Sequence, residues 1–321
     1  MYRRHLIAAA ALLPLRRAWA QRVCRVGLLT PGPAQTADTP LGKSLLAGLA
    51  KAGYLPGKNL VLEVRGAQGN IGRLPALVQE LEAAKVDVIV TSSYPSAVAA
   101  KEHTKLPVVS MNCGDPVGTG LVASLAHPGG HVTGVSDVSA ELTPKRMDLL
   151  KAVSPGLSRI GILWNDADNG MQLRAKASEA GARSMALDVE KVAVRGPADF
   201  DAAFGAMAGE KPGGLLVVAD MLTMANTKRI TEFALAHKLP VIFESDFLAA
   251  MGGLMAYGPD QDETCERVAA LVERIVKGTS PADLPFEQPT RFKLVVNLKT
   301  ARALGITVPP IVLAAADEVI E

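Results

Sequence analysis

The sequence predicts an α/β protein of two similar lobes, each built on a parallel sheet and joined to the other by a multi-strand hinge. Three observations carry this prediction. Apolar, strand-like runs alternate with helix-period segments over 23–111. The alternation restarts after residue 143, and further elements beyond residue 252 are placed to cross back to the first lobe. Alternating β and α elements imply a parallel sheet with helices on both faces. With 321 residues, 49% of them hydrophobic, the chain is long enough to bury two cores.

The elements follow in order. An apolar run over 23–30 reads as the first strand, followed by a Pro/Gly loop and a helix over 41–51. A strand over 60–64 leads to a helix over 74–84. The run over 86–91 is a strand, and Pro95 suits the first position of the next helix, where its missing N–H is not needed. Residues 108–111 form a fourth strand. Residues 118–126 read as a short helix or turn. Pro128, Gly129 and Gly130 then turn the chain into a strand over 132–135 that aims at a first crossing near 136–139.

The second lobe begins with a helix over 144–153 and a strand over 159–165. A helix over 171–180, a strand over 184–189 and a helix over 199–208 follow. Next come a strand over 215–219, a helix over 223–237 and a strand over 241–244. The halves echo each other: KLPVVSMNC (105–113) resembles KLPVIFESD (238–246), and VDVIVTSSYPSAV (86–98) resembles GGLLVVADMLTMA (213–225) in placing. The tail adds a strand over 253–257, an amphipathic helix over 262–277 and a strand over 292–297. The expected division is 21–137 plus 257–284 for the N-terminal lobe, and 138–256 plus 285–321 for the C-terminal lobe.

Residues 1–20 are expected to lie outside the fold. A basic start precedes an apolar stretch over 6–15, too short to span a bilayer, and Ala18-Trp19-Ala20 fits a small-x-small cleavage pattern. This reads as a secretory signal and a periplasmic destination. Removing Arg3, Arg4, Arg16 and Arg17 takes the formal charge from +2 to −2. No basic, aromatic-interleaved face points to nucleic acid. Cys24, Cys113 and Cys265 are far apart and form no CxxC, which excludes a disulfide framework or zinc site as the organising device. A Cys113–Cys265 bridge is left open by spacing.

Catalytic and nucleotide motifs fail one by one. Gly42-Lys43-Ser44 looks like the end of a phosphate loop, but Ala37 replaces the leading glycine and Pro40 removes a donor. The glycines after residue 113 do not form GxGxxG, and the first βα turn, Thr30-Pro31-Gly32-Pro33, has the wrong chemistry for a dinucleotide. No nucleophile, base and orienter set is visible, so no enzyme activity, cofactor or metal is expected.

Ligands of open α/β sheets bind beyond the carboxyl ends of the strands. In the first lobe those ends carry Thr30 and Pro31, then Ser92, Ser93 and Tyr94, then Asn112, Cys113 and Asp115. In the second they carry Trp164, Asn165 and Asp166, then Asp220, then Glu244. Hydroxyls beside a helix start at Ser92, Ser93 and Tyr94 suit a carboxylate, with helix capping by Ser93 as the plain alternative. Asp166, Asp220 and Glu244 are the candidates to face an amino group. Tyr94, Trp164 and Tyr257 are candidate apolar walls.

Several stretches in order resemble one family: GDPVGTGLVASLAHPGGHVTGVS, LSRIGILWN, VRGPADFDAAFGAM, GGLMAYGP and ADLPFEQPTRFKLVVNLKTARALGITVPP. Together they resemble the ABC transporter substrate-binding proteins that include tryptophan and tyrosine binders. The resemblance runs over about residues 25–320. It implies a type I periplasmic binding fold that closes on a small-molecule ligand and delivers it to a membrane permease and ATPase, as a monomer without catalysis. The loops at Ser92-Ser93-Tyr94-Pro95, Asn165-Asp166-Ala167-Asp168-Asn169 and Glu244-Ser245-Asp246 depart from the family's usual residues, so the resemblance carries no particular substrate. A sensory module for a membrane partner and an exported α/β enzyme are the competing readings.

Overall fold

The computed structural model describes residues 23–321; the expected signal segment lies outside the described residues. The first lobe contains β1 (Cys24–Thr30), α1 (Pro40–Lys51), β2 (Leu60–Gly66), α2 (Leu74–Ala83), β3 (Val88–Ser92), α3 (Tyr94–His103), β4 (Val108–Met111) and β5 (Val132–Val135). Its five strands pair in the order β2-β1-β3-β4-β5, all parallel. Apolar residues pack on both faces of this sheet. Leu28, Val90 and Val109 face one side, and Leu29, Ile89 and Val108 face the other, as the period-2 geometry of a strand requires.

The second lobe contains α4 (Thr143–Val153), β6 (Arg159–Asn165), α5 (Asn169–Ser184), β7 (Asp188–Val194), α6 (Phe200–Glu210), β8 (Leu215–Val217), α7 (Met221–Ala225), α8 (Thr227–Ala236), β9 (Val241–Phe243), α9 (Phe247–Ala250) and β10 (Met255–Pro259). After α10 (Gln261–Val276) it is completed by β11 (Phe292–Asn297), α11 (Leu298–Leu304), α12 (Pro310–Ala314) and β12 (Glu318–Ile320). The sheet order is β12-β11-β10-β9-β8-β6-β7, with only the β10–β11 pair antiparallel. Both sheets are thus mostly parallel and both are covered by helices, as the sequence predicts.

The lobes repeat one plan. β2, β1, β3, β4 and β5 occupy the same places in the first sheet as β7, β6, β8, β9 and β10 in the second. The echoing segments are therefore equivalent: laid residue on residue, Val88 falls on Leu215, Ser93 on Asp220 and Tyr94 on Met221.

Three segments cross between the lobes: β5 to α4, β10 to α10, and the return from Glu287 to β11. Helix α10 follows a strand of the second sheet yet packs with α1 on the first core through Cys265, Val268 and Val272. The first and third crossings pair, with Ser136 N–H donating to the Glu287 carbonyl at 2.9 Å and Glu287 N–H to the Gly134 carbonyl at 2.8 Å. Sheet pairing keeps β10 with the second lobe as far as Pro259, and Phe286 stays in the first core.

Three local expectations are corrected. The helix expected over 171–180 runs Asn169–Ser184, because the Asp168 side chain caps it from Gly170 and Met171 N–H. The strand expected over 184–189 accordingly starts later, at Asp188, after a left-handed turn at Ala186 (φ 58°). The helix expected over 223–237 is two, broken at Asn226. Of the short helix or turn expected over 118–126, the chain forms the turn, because Asp115 Oδ1 holds Val117 and Gly118 N–H while Gly120 adopts φ 71°.

Candidate ligand-binding cleft

The carboxyl ends of β1, β3 and β4 in one lobe face those of β6, β8 and β9 in the other, and a cleft lies between them. It has two compartments that meet at Pro31, Gly32, Ser93, Asp220 and Met221. The inner compartment, of 510 Å³, lies against the hinge. Thr30, Ser92, Asn112 and Leu41 line it from the first lobe, Arg174, Glu244 and Phe247 from the second, and Asp137, Ser139, Gln261 and Asp262 from the crossings and α10. The outer compartment, of 790 Å³, runs along α3 past Tyr94, Pro95 and Val98 to Asn165, Asp168 and Arg195. Volumes of a few hundred cubic ångströms suit a small molecule.

The first-lobe wall is organised by the start of α3. Ser93 is its N-cap, with φ 75° and ψ 155°, and its side chain makes no capping hydrogen bond. Such a conformation is costly for a residue with a β-carbon. It is fixed by the Ser93 N–H, which donates to the Met111 carbonyl at 2.9 Å. The Ser93 hydroxyl is therefore not used for capping and borders the cleft together with the amide end of the helix, which favours an anion. Asn112, also left-handed (φ 54°), reaches Gln261 Oε1 at 3.4 Å.

The second-lobe wall is organised by Asp220, the N-cap of α7. Its carboxylate accepts Thr223 N–H at 2.9 Å and Asn165 Nδ2 at 2.6 Å. It is held by amide donors, so its charge remains available to a cationic group in the cleft.

Beneath the cleft lies a buried ionic cluster. Arg146 donates to the Tyr257 carbonyl (2.8 Å), the Ser139 carbonyl (2.5 Å), Ser139 Oγ (3.0 Å) and Glu244 Oε1 (3.3 Å). Arg174 pairs with Glu244 Oε2 at 3.0 Å and with Asp137. Ala219 N–H completes Glu244 at 3.0 Å. Burial pushes the Glu244 carboxyl up, but Arg174 and Arg146 outweigh it and hold it below the usual carboxylate range. Burial likewise opposes the Arg174 charge, and Asp137 and Glu244 reverse that. The cluster ties the first crossing, through Asp137 and Ser139, to α4, α5 and β9. Asp137, Ser139, Arg146 and Arg174 were not among the sequence candidates, since nothing in their local pattern separates them from ordinary helix and loop residues.

The cleft gathers Thr30, Pro31, Ser92, Ser93, Tyr94, Asn112, Asn165, Asp220 and Glu244 from the sequence candidates. Five others lie elsewhere. Cys113 is buried in the first core, where burial pushes its thiol up to about 12. Asp115 is exposed and holds its own turn. Asp166 pairs with Arg195 at 2.8 Å, outside the lining. Trp164 packs on the same core as Ile160 and Ile162, because every second residue of β6 faces that side. Tyr257 packs there too, its ring 6.2 Å from Phe292. Cys113 and Cys265 are free and buried, with no bridge between them, and Cys24 is buried too.

Two parallel-sheet lobes, three crossings and a cleft at the strand ends define a two-lobed solute-binding protein of the type I periplasmic architecture. The chain belongs to the ABC transporter substrate binding protein family, whose model matches residues 38–320. It is similar to a tyrosine-binding protein of Clostridioides difficile (strain R20291), 26% identical over 265 residues, covering 82% of this chain and 76% of that one. It resembles a domain from Streptococcus pneumonia solved in complex with L-Trp, with a TM-score of 0.83, 27% identity, and 92% and 99% of the two chains covered. It also resembles the ligand-free, open structure of a substrate-binding protein with adhesive properties from Clostridium difficile. Here the TM-score is 0.69, identity is 25%, and 93% and 99% are covered.

Proposed function

We propose that this chain is the periplasmic receptor of an ABC importer and captures a free amino acid or a closely related zwitterion by closing its lobes. One observation carries the reading: Ser93 and Asp220, from opposite lobes, border the same junction of the cleft. A carboxylate at the Ser93 hydroxyl and the α3 amides, with an ammonium at Asp220, joins the lobes through one molecule. Binding that is stronger in the closed state shifts the population toward closure. The closed form is what the permease and its ATPase recognise, and the receptor itself, a monomer, performs no chemistry.

Binding to the native state raises apparent stability. A thermal-shift screen of the twenty L-amino acids with the mature protein, followed by calorimetry, tests the proposal. One-to-one binding of a free amino acid without turnover is the expected result. Absence of binding across the set, or consumption of a bound compound, overturns it.

A further inference from the structure

One contact between the lobes lies where the two compartments of the cleft meet. Met221, the first residue of α7 in the second lobe, lays its tip on the backbone of Gly32 in the first. A β-carbon placed on Gly32 would lie 2.0 Å from Met221 Cε and 2.9 Å from its Sδ. Both sides of the contact are held. Asp220 and Thr223 cap α7 reciprocally, and the buried Thr223 hydroxyl donates to the Val218 carbonyl at 2.9 Å. Gly32 sits between Pro31 and Pro33. The Pro31 and Gly32 carbonyls accept Gly69 and Gln68 N–H at 2.8 and 2.9 Å, and Thr30 Oγ1 donates to the Pro33 carbonyl at 2.9 Å.

The equivalent residue of the first lobe reaches the other way. Tyr94 opens α3 as Met221 opens α7, and its ring lies against Gly170 of the second lobe. A β-carbon there would be 3.2 Å from Tyr94 Cδ1. Each lobe therefore rests a side chain on a glycine of the other. Of these two side chains, Met221 borders both compartments and Tyr94 the outer one alone. An unbranched thioether adapts its shape to such a seat.

We propose that Met221, seated on Gly32, is the partition that limits ligand length. This rests on the amino-acid reading of the cleft. The head of the ligand lies between Ser93 and Asp220, and its side chain fills the inner compartment. Extension from its carboxyl end would run along α3 into the outer compartment, and Met221 blocks that path. The receptor then accepts free amino acids and excludes peptides.

The test uses calorimetry on the mature protein and on Met221→Ala, Gly32→Ala and the double variant, with melting temperatures as the check on folding. The probes are the twenty L-amino acids and, for the one bound tightest, its dipeptide with a carboxyl-terminal glycine. The wild type is expected to prefer the free amino acid by at least about tenfold, and Met221→Ala to cut that preference about tenfold through a gain in dipeptide affinity. Gly32→Ala, whose methyl displaces the Met221 tip, is expected to weaken amino-acid binding only while Met221 is present, as contacting residues couple in a double-mutant cycle. A wild type that binds the dipeptide equally well, a preference unchanged in Met221→Ala, or effects of the two substitutions that simply add, each overturns the partition and leaves the amino-acid reading standing. A wild type that binds no free amino acid overturns both.

Discussion

Ser93 and Asp220 are the N-caps of the helices that follow equivalent strands in the two lobes, and they meet across one cleft. Their chemistry differs where their positions match. Ser93 offers a free hydroxyl and the amide end of α3, whereas Asp220 offers a carboxylate. Matching positions of the two lobes thereby supply opposite chemistry to the proposed site.

The first prediction concerns Ser92 and Ser93. Replacing both by Ala is expected to lower ligand affinity about tenfold, the effect of losing roughly one good hydrogen bond to a charged group. Because Ser93 makes no capping bond, the melting temperature should barely move. Ser93→Gly should bind as weakly but melt higher, since glycine relieves a conformation costing on the order of 1 kcal/mol. Calorimetry and a melting curve separate these effects.

Asp220→Asn should lower affinity more than the serine changes, by about a hundredfold if it faces an ammonium. The amide retains an acceptor for Thr223 N–H, so helix α7 should keep its cap and the loss of stability should stay under about 1 kcal/mol. Unchanged affinity in calorimetry would remove Asp220 from the site.

Glu244 is the shared partner of two buried guanidinium groups. Glu244→Ala leaves both without it and should cost about 3–5 kcal/mol, read as a lower urea midpoint. Glu244→Gln, which keeps the shape and one acceptor, should cost less. Equal stability of all three proteins would show that the cluster is not held by charge.

Glu263 predicts the acid limit. Burial raises its pKa, but Thr290, Arg291 N–H and Arg267 outweigh burial and bring it down to about 2 from 4.5. A depressed folded pKa contributes stability that is present above the unfolded value and lost as pH falls from 4.5 towards 2. With solvent screening at the hinge surface, the contribution is on the order of 2 kcal/mol. Urea titrations should show wild type ahead of Glu263→Gln at pH 6, with the gap closing as pH falls through that range. A gap independent of pH would refute the assignment.

The sequence by itself determined the architecture. The apolar runs at β1, β3, β4 and β6 are long enough and regular enough to commit to buried parallel strands, and the echo between 105–113 and 238–246 marks equivalent strands. It also determined which loops face the cleft, because strand direction fixes where carboxyl ends lie. What it could not decide is which way each side chain points at a strand end. One residue of register sends Asn112 to the cleft and Cys113 to the core, and Trp164 to the core while Asn165 turns outward. The buried cluster of Asp137, Arg146, Arg174 and Glu244 was equally hidden. Its members come from a crossing, two helices and a strand end, and their pairing exists only once the chain has folded. The contact of Met221 with Gly32 belongs to the same class. It depends on how one lobe meets the other, a relation set by side-chain packing across space and not by any local pattern.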